Sequence, residues 1–261
     1  MLALRSLVFN ALFYLYLIGI MIVGLPALLI GRRAILVLAD YWGRGSLWLM
    51  RVVCHTEVEF RGLEHIPFEP CIIAAKHQSL WDVFAFLRFF RNFTIILKRE
   101  LAWVPLFGWY VLRADLIAIN RSKGTAALNE AKQGAKKGFE QGQSLLIFPE
   151  GTRRPAGAEP SYKFGVAHIY ADNHVPCLPI AHNSGLFWAR RSFIRRPGKI
   201  LVQFLPVIEP GLDRKVFFAR LQAELETATN ALIAETLKSN PELRSVLPES
   251  YSPSGSQSGE S

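Results

Sequence analysis

The chain is poor in cysteine, and the few cysteines that it has stand far apart. Among 261 residues there are three, Cys54, Cys71 and Cys177, each in apolar sequence and none in a Cys-x-x-Cys pair. An odd, scattered set argues against a disulfide framework and against a thiolate metal site. We therefore expect buried free thiols and a folded domain that faces the reducing cytoplasm.

Several familiar motifs are missing as well. There is no Gly-x-Ser-x-Gly elbow, which disfavours a serine α/β-hydrolase. There is no Walker A lysine loop, and Gly43-x-Gly45 lacks a third glycine and a preceding strand, so the common nucleotide-binding loops are unsupported. The spacing of His168, His174 and His182 matches no familiar ligand pattern. We expect these histidines to be structural, and we expect neither a metal nor a cofactor.

What the sequence does have is an unusual pairing of positive charge with apolar character. Thirty Lys and Arg against 21 Asp and Glu give a net charge of +9, and 51% of the residues are hydrophobic. The mean hydropathy is +0.21. Such a chain is too hydrophobic to be disordered and too polar to be a multi-pass membrane protein. Because nucleic-acid binders are normally basic and hydrophilic, we expect anionic membrane lipids as partners and no nucleic acid.

The apolar residues are concentrated before Cys54. Residues Leu7–Ile30 carry no charge, and this length suffices to cross a bilayer, which needs about 20 residues. The sequence predicts an uncleaved anchor, because a signal peptide would be shorter and followed by a small-residue cleavage site. More arginines follow the segment than precede it, which favours an inner-membrane protein with its catalytic part in the cytoplasm. Whether the segment spans the bilayer or enters one leaflet stays open.

The next stretch, Ala34–Val53, is apolar apart from one narrow polar stripe. On a helix the stripe residues would fall within about 40° of one another. They are Arg33, Asp40, Arg44 and Arg51. Such a helix suits the headgroup boundary or a hairpin partner for the first segment, and the alternative is a helix packed into the core of the folded domain. We assign residues 1–53 to a membrane anchor and interfacial helix.

From residue 54 onward, short β-type runs alternate with longer helical stretches. This alternation predicts an α/β fold, a mostly parallel sheet flanked by helices, behind the N-terminal membrane-associated helical segment. The predicted strands are Thr56–Phe60, Cys71–Ala75, Phe93–Leu97, Asp115–Ile119, Ser144–Phe148, Cys177–Ala181 and Ile200–Leu205. The predicted helices are Leu80–Phe90, Leu101–Leu112, Gly124–Glu140, Lys163–Ala171 and Leu212–Leu237. We assign residues 54–240 to this domain and residues 241–261 to a disordered polar tail.

One predicted strand ends in a histidine that an aspartate follows five residues later. Ligands of open α/β sheets bind beyond the carboxyl ends of the strands, where His77 falls. Ser79 looks like an N-cap, and its turn would bring Asp82 back to the imidazole. The carboxylate could then hold one tautomer, leaving the other nitrogen to accept a proton. Ser79-x-x-Asp82 is also a capping-box pattern, in which Asp82 only satisfies backbone donors.

A second strand, Ser144–Phe148, runs into the loop Pro149-Glu150-Gly151-Thr152-Arg153-Arg154. Arginine suits a phosphate and glutamate suits a hydroxyl, so a glycerol-phosphate or sugar-phosphate headgroup is a chemically sensible ligand. Arg121 and Lys98 add cations at the ends of two further strands. The alternative for the loop taken alone is a solvated turn with an exposed salt bridge.

Taken in order, these motifs resemble those of a known family. The order is His77-Gln-Ser-Leu-Trp-Asp82, Arg121, Phe148-Pro-Glu-Gly-Thr-Arg153 and Val175-Pro-Cys-Leu-Pro-Ile180. It resembles the glycerolipid acyltransferase family, specifically the bacterial 1-acyl-glycerol-3-phosphate acyltransferases. The resemblance implies transfer of an acyl chain from acyl-CoA or acyl carrier protein to the free sn-2 hydroxyl of lysophosphatidic acid, giving phosphatidic acid.

The resemblance also implies roles for single residues. His77 would act as general base on the acceptor hydroxyl, Asp82 would orient and support it, and no covalent enzyme intermediate would form. The positions that correspond to binding of the phosphorylated acceptor are Arg121, Glu150, Gly151, Thr152 and Arg153. Pro179 corresponds to the acyl-donor side. Lys98 is not part of the resemblance, and we expect it to contact phosphate or an oxyanion.

The chain departs from the family at one position. Before Arg121 the family often has an acidic residue, whereas this chain has Asn120. Two alternatives stay open beside the leading hypothesis. One is an acyltransferase for another lysolipid such as lyso-ornithine lipid. The other, in a different class, is a non-catalytic membrane lipid-binding protein.

Overall fold

The computed structural model describes residues 1–252, and its central feature is one sheet with helices on both faces. The strands are β1 (Thr56–Arg61), β2 (Ile72–Ala75), β3 (Phe93–Lys98), β4 (Ile117–Ile119), β5 (Ser144–Ile147), β6 (Cys177–His182) and β7 (Gly198–Phe204). The helices are α1 (Leu2–Val23), α2 (Leu25–Ile30), α3 (Arg32–Leu49), α4 (Trp81–Ala85), α5 (Phe107–Arg113), α6 (Thr125–Glu140), α7 (Gly165–Asn173), α8 (Ser184–Phe187) and α9 (Arg214–Ser239). Shorter helical turns cover Met50–Cys54, Leu63–His65, Leu87–Phe89, Arg99–Trp103, Arg121–Lys123 and Pro241–Val246.

The strand order is β1-β7-β6-β2-β5-β3-β4. Every neighbouring pair is parallel except β6 with β7, which is antiparallel. The prediction of a mostly parallel sheet flanked by helices is therefore confirmed, and so is the place of each of the seven strands. The reversal at β7 was not predicted. The carboxyl ends of β2, β3, β4 and β5 share one edge of the sheet, as parallel neighbours must.

The central strands are apolar along their whole length because both faces of the sheet are covered. Every residue of β2, β5 and β6 is buried. Side chains alternate between the two faces, so that Ile73 and Leu146 join a core cluster with α1, α3 and α4. Their neighbours Ile72 and Leu145 join a second cluster with α6, α7 and α9. A continuous apolar run is typical of a parallel strand buried on both sides.

Three predicted elements are shorter or broken in the structure. The predicted helix Leu101–Leu112 is wrong in its first half, because Pro105 interrupts it and Leu106 adopts a φ of 67° before α5 begins. The predicted helix Leu80–Phe90 is only α4 followed by a 3-10 turn. The predicted strand Asp115–Ile119 loses two residues, since Asp115 has a left-handed φ of 52°.

The N-terminal apolar segment is divided into two helices. It breaks at Gly24, after which Pro26 stands in the first turn of α2. Within residues 1–252, α1 is the one helix that is long and apolar enough to cross a membrane. Its outward face is apolar, and Leu15 and Val23 are exposed there. Such a face supports membrane association.

The opposite face of α1 is docked onto the folded domain. Phe9 and Phe13 are fully buried, each in an edge-to-face contact with Trp188. The backbone N–H of Arg195 donates to Ser6 Oγ at 2.9 Å, and the Arg195 guanidinium donates to the side chain of Asn10. The first half of α1 is thus fastened to the body, and near its end the Tyr110 hydroxyl donates to the backbone oxygen of Met21.

Helix α3 packs beside α1 and onto α4, so it is at once a hairpin partner and part of the core. A Cβ on Gly43 would lie 2.8 Å from the carbonyl oxygen of Phe84, which explains a glycine in mid-helix. The predicted polar stripe carries an exposed ion pair between Arg44 and Asp40 at 2.7 Å. Met50 and Cys54 continue into the core, so residues 1–53 and the sheet share one hydrophobic cluster.

The chain after α9 is ordered further than the sequence suggested. Residues Pro241–Val246 form a 3-10 turn, and Leu243, Leu247 and Tyr251 are buried against the core. The predicted disordered tail from residue 241 is therefore wrong for residues 241–252, because apolar side chains recur at every fourth position in that segment. Residues 253–261 of the predicted tail lie outside the described residues.

The docking of α1 predicts that Phe13→Ala destabilises the whole protein. Phe13 packs against Trp42, Phe84 and Trp188, and removing a buried phenyl ring typically costs about 3–5 kcal/mol. Urea unfolding in detergent, followed by tryptophan fluorescence, should show this loss. Leu15→Ala on the exposed face of the same helix is the matched control and should unfold as the wild type does. Equal midpoints for Phe13→Ala and wild type would contradict the docking.

Candidate active site

His77 lies in the turn between β2 and α4, at the carboxyl edge of the sheet. Its side chain is 14% exposed, and it lines a cavity. The imidazole Nδ1 is 3.1 Å from Asp82 Oδ2. If Nδ1 carries the hydrogen, as a contact with a carboxylate requires, then Nε2 keeps a free lone pair. The arrangement suits a general base.

Asp82 is fully buried, and five donors surround its carboxylate. Oδ2 accepts from the backbone N–H groups of Gln78 at 2.6 Å and Ser79 at 2.8 Å, in addition to His77. Oδ1 accepts from Ser79 Oγ at 2.9 Å and Ser184 Oγ at 2.7 Å. Both alternatives for Ser79-x-x-Asp82 therefore hold together, since one carboxylate closes the turn and holds the imidazole.

The pKa values of Asp82 and His182 are both lowered, for different reasons. Burial by itself raises the pKa of Asp82, but His182, His77 and Ser184 outweigh it and hold that pKa well below its usual range. Burial lowers the pKa of His182, whose Nε2 donates to the backbone oxygen of Lys76 at 2.8 Å. His182 is thus a buried structural histidine that supports the turn from behind.

The loop after β5 holds His77 on three sides. The ring of Phe148 stacks on the imidazole at 4.0 Å between centroids. Glu150 Oε2 accepts from the backbone N–H of His77 at 2.7 Å, and the backbone N–H of Arg154 donates to the His77 carbonyl at 2.7 Å. Gly151, with a φ of 68°, makes the tight bend between these contacts.

A buried charge cluster that the sequence did not reveal lies behind this loop. Lys76 Nζ is 2.8 Å from Glu150 Oε1 and 2.6 Å from Glu226 Oε1. Tyr162 donates its hydroxyl hydrogen to Glu226 at 2.7 Å, and burial together with Glu226 raises the pKa of Tyr162 well above its usual range. No local pattern could have identified the cluster, because Lys76 and Glu226 are 150 positions apart.

An apolar cavity of about 490 Å³ opens beside His77. Its apolar walls come from α1, α3, β3 and α5, and they include Leu17, Ile35, Ile95 and Tyr110. Its polar lining residues are His77, Lys98, Arg121, Thr152 and Arg153. These five stand at or just beyond the carboxyl ends of the parallel strands β2, β3, β4 and β5. The cavity therefore has one polar end and an apolar interior.

The cations at the polar end differ in how they are held. Arg121 donates to the backbone oxygen of Gly151, and burial lowers its pKa against the opposing effect of Glu100. Asn120 caps the turn that carries Arg121 by accepting from the backbone N–H of Ser122. Lys98 pairs with Glu100 at 3.1 Å. Within residues 1–252, neither Arg121 nor Arg153 has a carboxylate partner, so both are available to an anionic ligand.

Two of the residues expected to bind substrate lie away from the cavity surface. Glu150 is 2% exposed, and both of its carboxylate oxygens are taken by Lys76 and by His77. Pro179 is buried in β6 opposite Ala74. The structure therefore brings together His77, Asp82, Lys98, Arg121, Thr152 and Arg153, with Gly151 shaping the loop, and it sets Glu150 and Pro179 behind them.

The histidines considered for a metal are dispersed. His182 is held behind the turn as described, and His168 lies against Phe164 at the start of α7. Among residues 1–252, no group of three or more His, Cys, Asp and Glu side chains could hold a metal ion. The three cysteines are free and buried, and burial raises the pKa of Cys54 and of Cys71 to about 11.

Comparison with known proteins gives consistent results. A family model described as Acyltransferase matches residues 57–183. The chain is 39% identical over 196 residues to the 1-acyl-sn-glycerol-3-phosphate acyltransferase of Pseudomonas aeruginosa, which covers 75% of each chain. It is 32% identical over 164 residues to a protein of the same name from Limnanthes alba, covering 62% of this chain and 57% of that one.

A solved structure has the same fold. It is the crystal structure of the 1-acyl-sn-glycerophosphate (LPA) acyltransferase PlsC from Thermotoga maritima, which superimposes with a TM-score of 0.69 at 24% sequence identity. The match covers 87% of this chain and 98% of that chain.

The buried carboxylate predicts a pH-dependent contribution to stability. Because the folded pKa of Asp82 is lowered, its contribution is fully present above the unfolded carboxyl value of about 3.9 and is lost as pH falls below it. We expect Asp82→Asn to lower the free energy of unfolding by a constant amount between about pH 7 and 5, and by less below about pH 4. Urea titrations across this range measure it, with Asp213→Asn at an exposed helix cap as control. If the difference in the free energy of unfolding between Asp82→Asn and wild type were as large at pH 3 as at pH 7, the lowered pKa of Asp82 would be contradicted.

Proposed function

The chain belongs to the 1-acyl-sn-glycerol-3-phosphate acyltransferase family, and from this premise we propose what its site does. It transfers an acyl chain from acyl-CoA or acyl carrier protein to the free sn-2 hydroxyl of lysophosphatidic acid, giving phosphatidic acid in phospholipid synthesis. One observation carries the proposal: a histidine oriented by a buried aspartate stands where an apolar cavity meets two arginines that form no ion pair within residues 1–252.

In the proposed reaction, His77 is the general base. Nε2 takes the proton of the acceptor hydroxyl as its oxygen attacks the thioester carbonyl carbon of the donor. The tetrahedral intermediate collapses with cleavage of the C–S bond, and the imidazolium returns the proton to the departing sulfur. Asp82 stabilises that imidazolium as an ion, since its pKa is low. No group of the protein is acylated.

The acceptor phosphate is proposed to bind Arg121 and Arg153, with Thr152 as a further hydrogen-bond donor. Guanidinium groups match the geometry of a phosphate, both arginines line the cavity, and neither forms an ion pair with a carboxylate within the described part of the chain. Lys98, which pairs with the exposed Glu100, is proposed to contact a second phosphate oxygen or the developing oxyanion. Gly151 contributes its backbone and not a side chain.

The fatty acyl chain is proposed to occupy the cavity. The apolar walls would remove its methylenes from water, which stabilises binding by about 0.8 kcal/mol per methylene. No metal or cofactor takes part in the proposed chemistry, because the base, the phosphate ligands and the thioester donor supply every group that the reaction needs. Activity is therefore expected to withstand a chelator.

The protein is proposed to act at the cytoplasmic face of the inner membrane. The exposed apolar face of α1, with the exposed arginines Arg5 and Arg33 nearby in sequence, suits a bilayer of anionic lipids. Because Phe9 and Phe13 on the other face of α1 are buried against the body, the helix is proposed to enter one leaflet rather than to span. The free, buried cysteines fit a reducing compartment.

The enzyme activity is tested by His77→Ala in purified protein supplied with acyl-CoA and lysophosphatidic acid. Loss of a general base should lower kcat by about 10²- to 10⁴-fold, measured as phosphatidic acid formed by mass spectrometry. His168→Ala, which removes a histidine remote from the cavity, is the matched control and should keep wild-type activity. Equal rates of phosphatidic acid formation for His77→Ala and wild type would contradict the enzyme hypothesis and favour a lipid-binding protein.

The headgroup is tested in the same assay with lyso-ornithine lipid as a second acceptor. Arg153→Ala should lower kcat/KM for lysophosphatidic acid by about 10- to 150-fold, corresponding to a lost charged hydrogen bond of about 1.5–3 kcal/mol. Arg220→Ala, at an exposed pair on α9, is the control. A wild-type preference for the aminolipid, with no effect of Arg153→Ala, would instead support the alternative acceptor.

A further inference from the structure

Lys76 and His77 are neighbours in sequence, but their side chains lie on opposite sides of the sheet. His77 faces the cavity between β2 and the N-terminal helices, whereas Lys76 is directed toward α9, which carries Glu226. The Lys76 side chain is 5% exposed and that of Glu150 is 1% exposed. Lysine is rarely buried to this extent, and a buried ammonium must be paired.

Around Lys76, two carboxylates are paired with a single ammonium group. Two carboxylates, Glu150 and Glu226, share its one ammonium group, at 2.8 and 2.6 Å. Tyr162 donates to Glu226 and lies 3.5 Å from Lys76 Nζ. Buried His182, held to the Lys76 carbonyl, is the next titratable group. Without the ammonium, two carboxylates would face one another in a nearly closed space, where like charges repel strongly.

Glu150 connects Lys76 to the backbone of His77. One of its oxygens accepts from Lys76, and the other accepts from the backbone N–H of His77. The carbonyl of His77 is held in turn by the backbone N–H of Arg154 from the same loop. Both peptide groups that flank the His77 side chain are therefore fixed to the loop after β5, and the orientation of Glu150 depends on Lys76.

We propose that Lys76 is a positioning residue for the proposed acyl transfer, holding Glu150 so that its carboxylate fixes the backbone of His77. Glu226 and Tyr162 on the far side keep the ammonium in place. The inference rests on the proposed function, because its readout is the rate of that reaction. Lys76, Glu226 and Tyr162 are not among the residues that line the cavity, so in the proposal they act on the reaction indirectly, through the side-chain contact of Lys76 with Glu150.

The main test is Lys76→Met, which keeps the length of the side chain and removes its charge. Displacement of a catalytic group by about 1 Å can cost on the order of 10²-fold in rate, so kcat should fall by about that factor while both KM values stay unchanged. Rates are taken per folded molecule, from gel filtration and a thermal melt of each variant. Glu235→Gln, which breaks the exposed ion pair of α9 with Arg61, is the matched control and should keep wild-type kcat.

Two further variants separate positioning from simple stability. Glu226→Gln keeps an acceptor for Lys76 and Tyr162 and leaves Lys76 with Glu150 as a neutral pair, so kcat should stay near wild type. Glu150→Gln removes the ion pair from the other side and should lower kcat. Because both residues act through one contact, the Lys76→Met/Glu150→Gln double variant should be no slower than the slower single variant.

The outcomes divide clearly. Wild-type kcat in folded Lys76→Met, a rise of KM in place of a fall in kcat, or losses that multiply in the double variant would overturn the positioning role. If Lys76→Met does not fold, Glu150→Gln decides, and an unchanged kcat there overturns the proposal. Wild-type protein without acyltransferase activity would be a failure of the proposed function, which these comparisons between variants keep distinct.

Discussion

Burying the carboxylate of Asp82 without compensation would cost several kcal/mol, and the turn from His77 to Ser79 is folded around that carboxylate. Five donors satisfy it, three from the turn itself, one from the Ser79 hydroxyl and one from Ser184 on α8. Apart from the imidazole, three of these donors, the backbone N–H groups of Gln78 and Ser79 and the Ser79 hydroxyl, belong to the turn itself, so the group that closes the turn also orients the imidazole. The proposed catalytic geometry and the local stability of the turn therefore depend on the same group.

The shape of the cavity depends on the N-terminal helices. Leu17, Ile20 and Met21 of α1 line the cavity together with residues of α3 and α5, so the segment that suits the bilayer is also a wall of the proposed acyl site. Phe9, Phe13 and Arg195 keep that wall against the body. The same helix thus has one apolar face exposed and another that lines the cavity, so the N-terminal segment and the folded domain form one unit.

Much of this could be read from the sequence because it depends on local patterns. Continuous apolar runs predicted β2, β5 and β6, since strands buried on both faces need them. The spacing of His77 and Asp82 was informative because a serine turn lies between them. Pro105 shortened the predicted helix Leu101–Leu112, and the left-handed Asp115 shortened the predicted strand Asp115–Ile119. Both effects depend on backbone geometry, which hydrophobic periodicity does not reveal.

What could not be predicted depends on contacts between distant parts of the chain. Lys76 meets Glu226 across 150 positions, and Ser6 meets Arg195 across 189. Glu150 was expected at the substrate because of its motif, yet its position is determined by a lysine that no motif includes. The antiparallel β7 and the packed segment 241–252 likewise depend on which surfaces remain to be covered once the sheet has formed.

The protonation of His77 is the most direct test of the central claim that Asp82 sets its tautomer. NMR of histidine ring nitrogens in labelled protein, with the signal assigned by its loss in His77→Ala, distinguishes the two neutral forms. The expected result is a protonated Nδ1 and a bare Nε2 in the wild type, with the preference lost in Asp82→Asn. A protonated Nε2 beside a bare Nδ1 would contradict it, because the imidazole could then neither donate to Asp82 nor accept a proton from a substrate in the cavity.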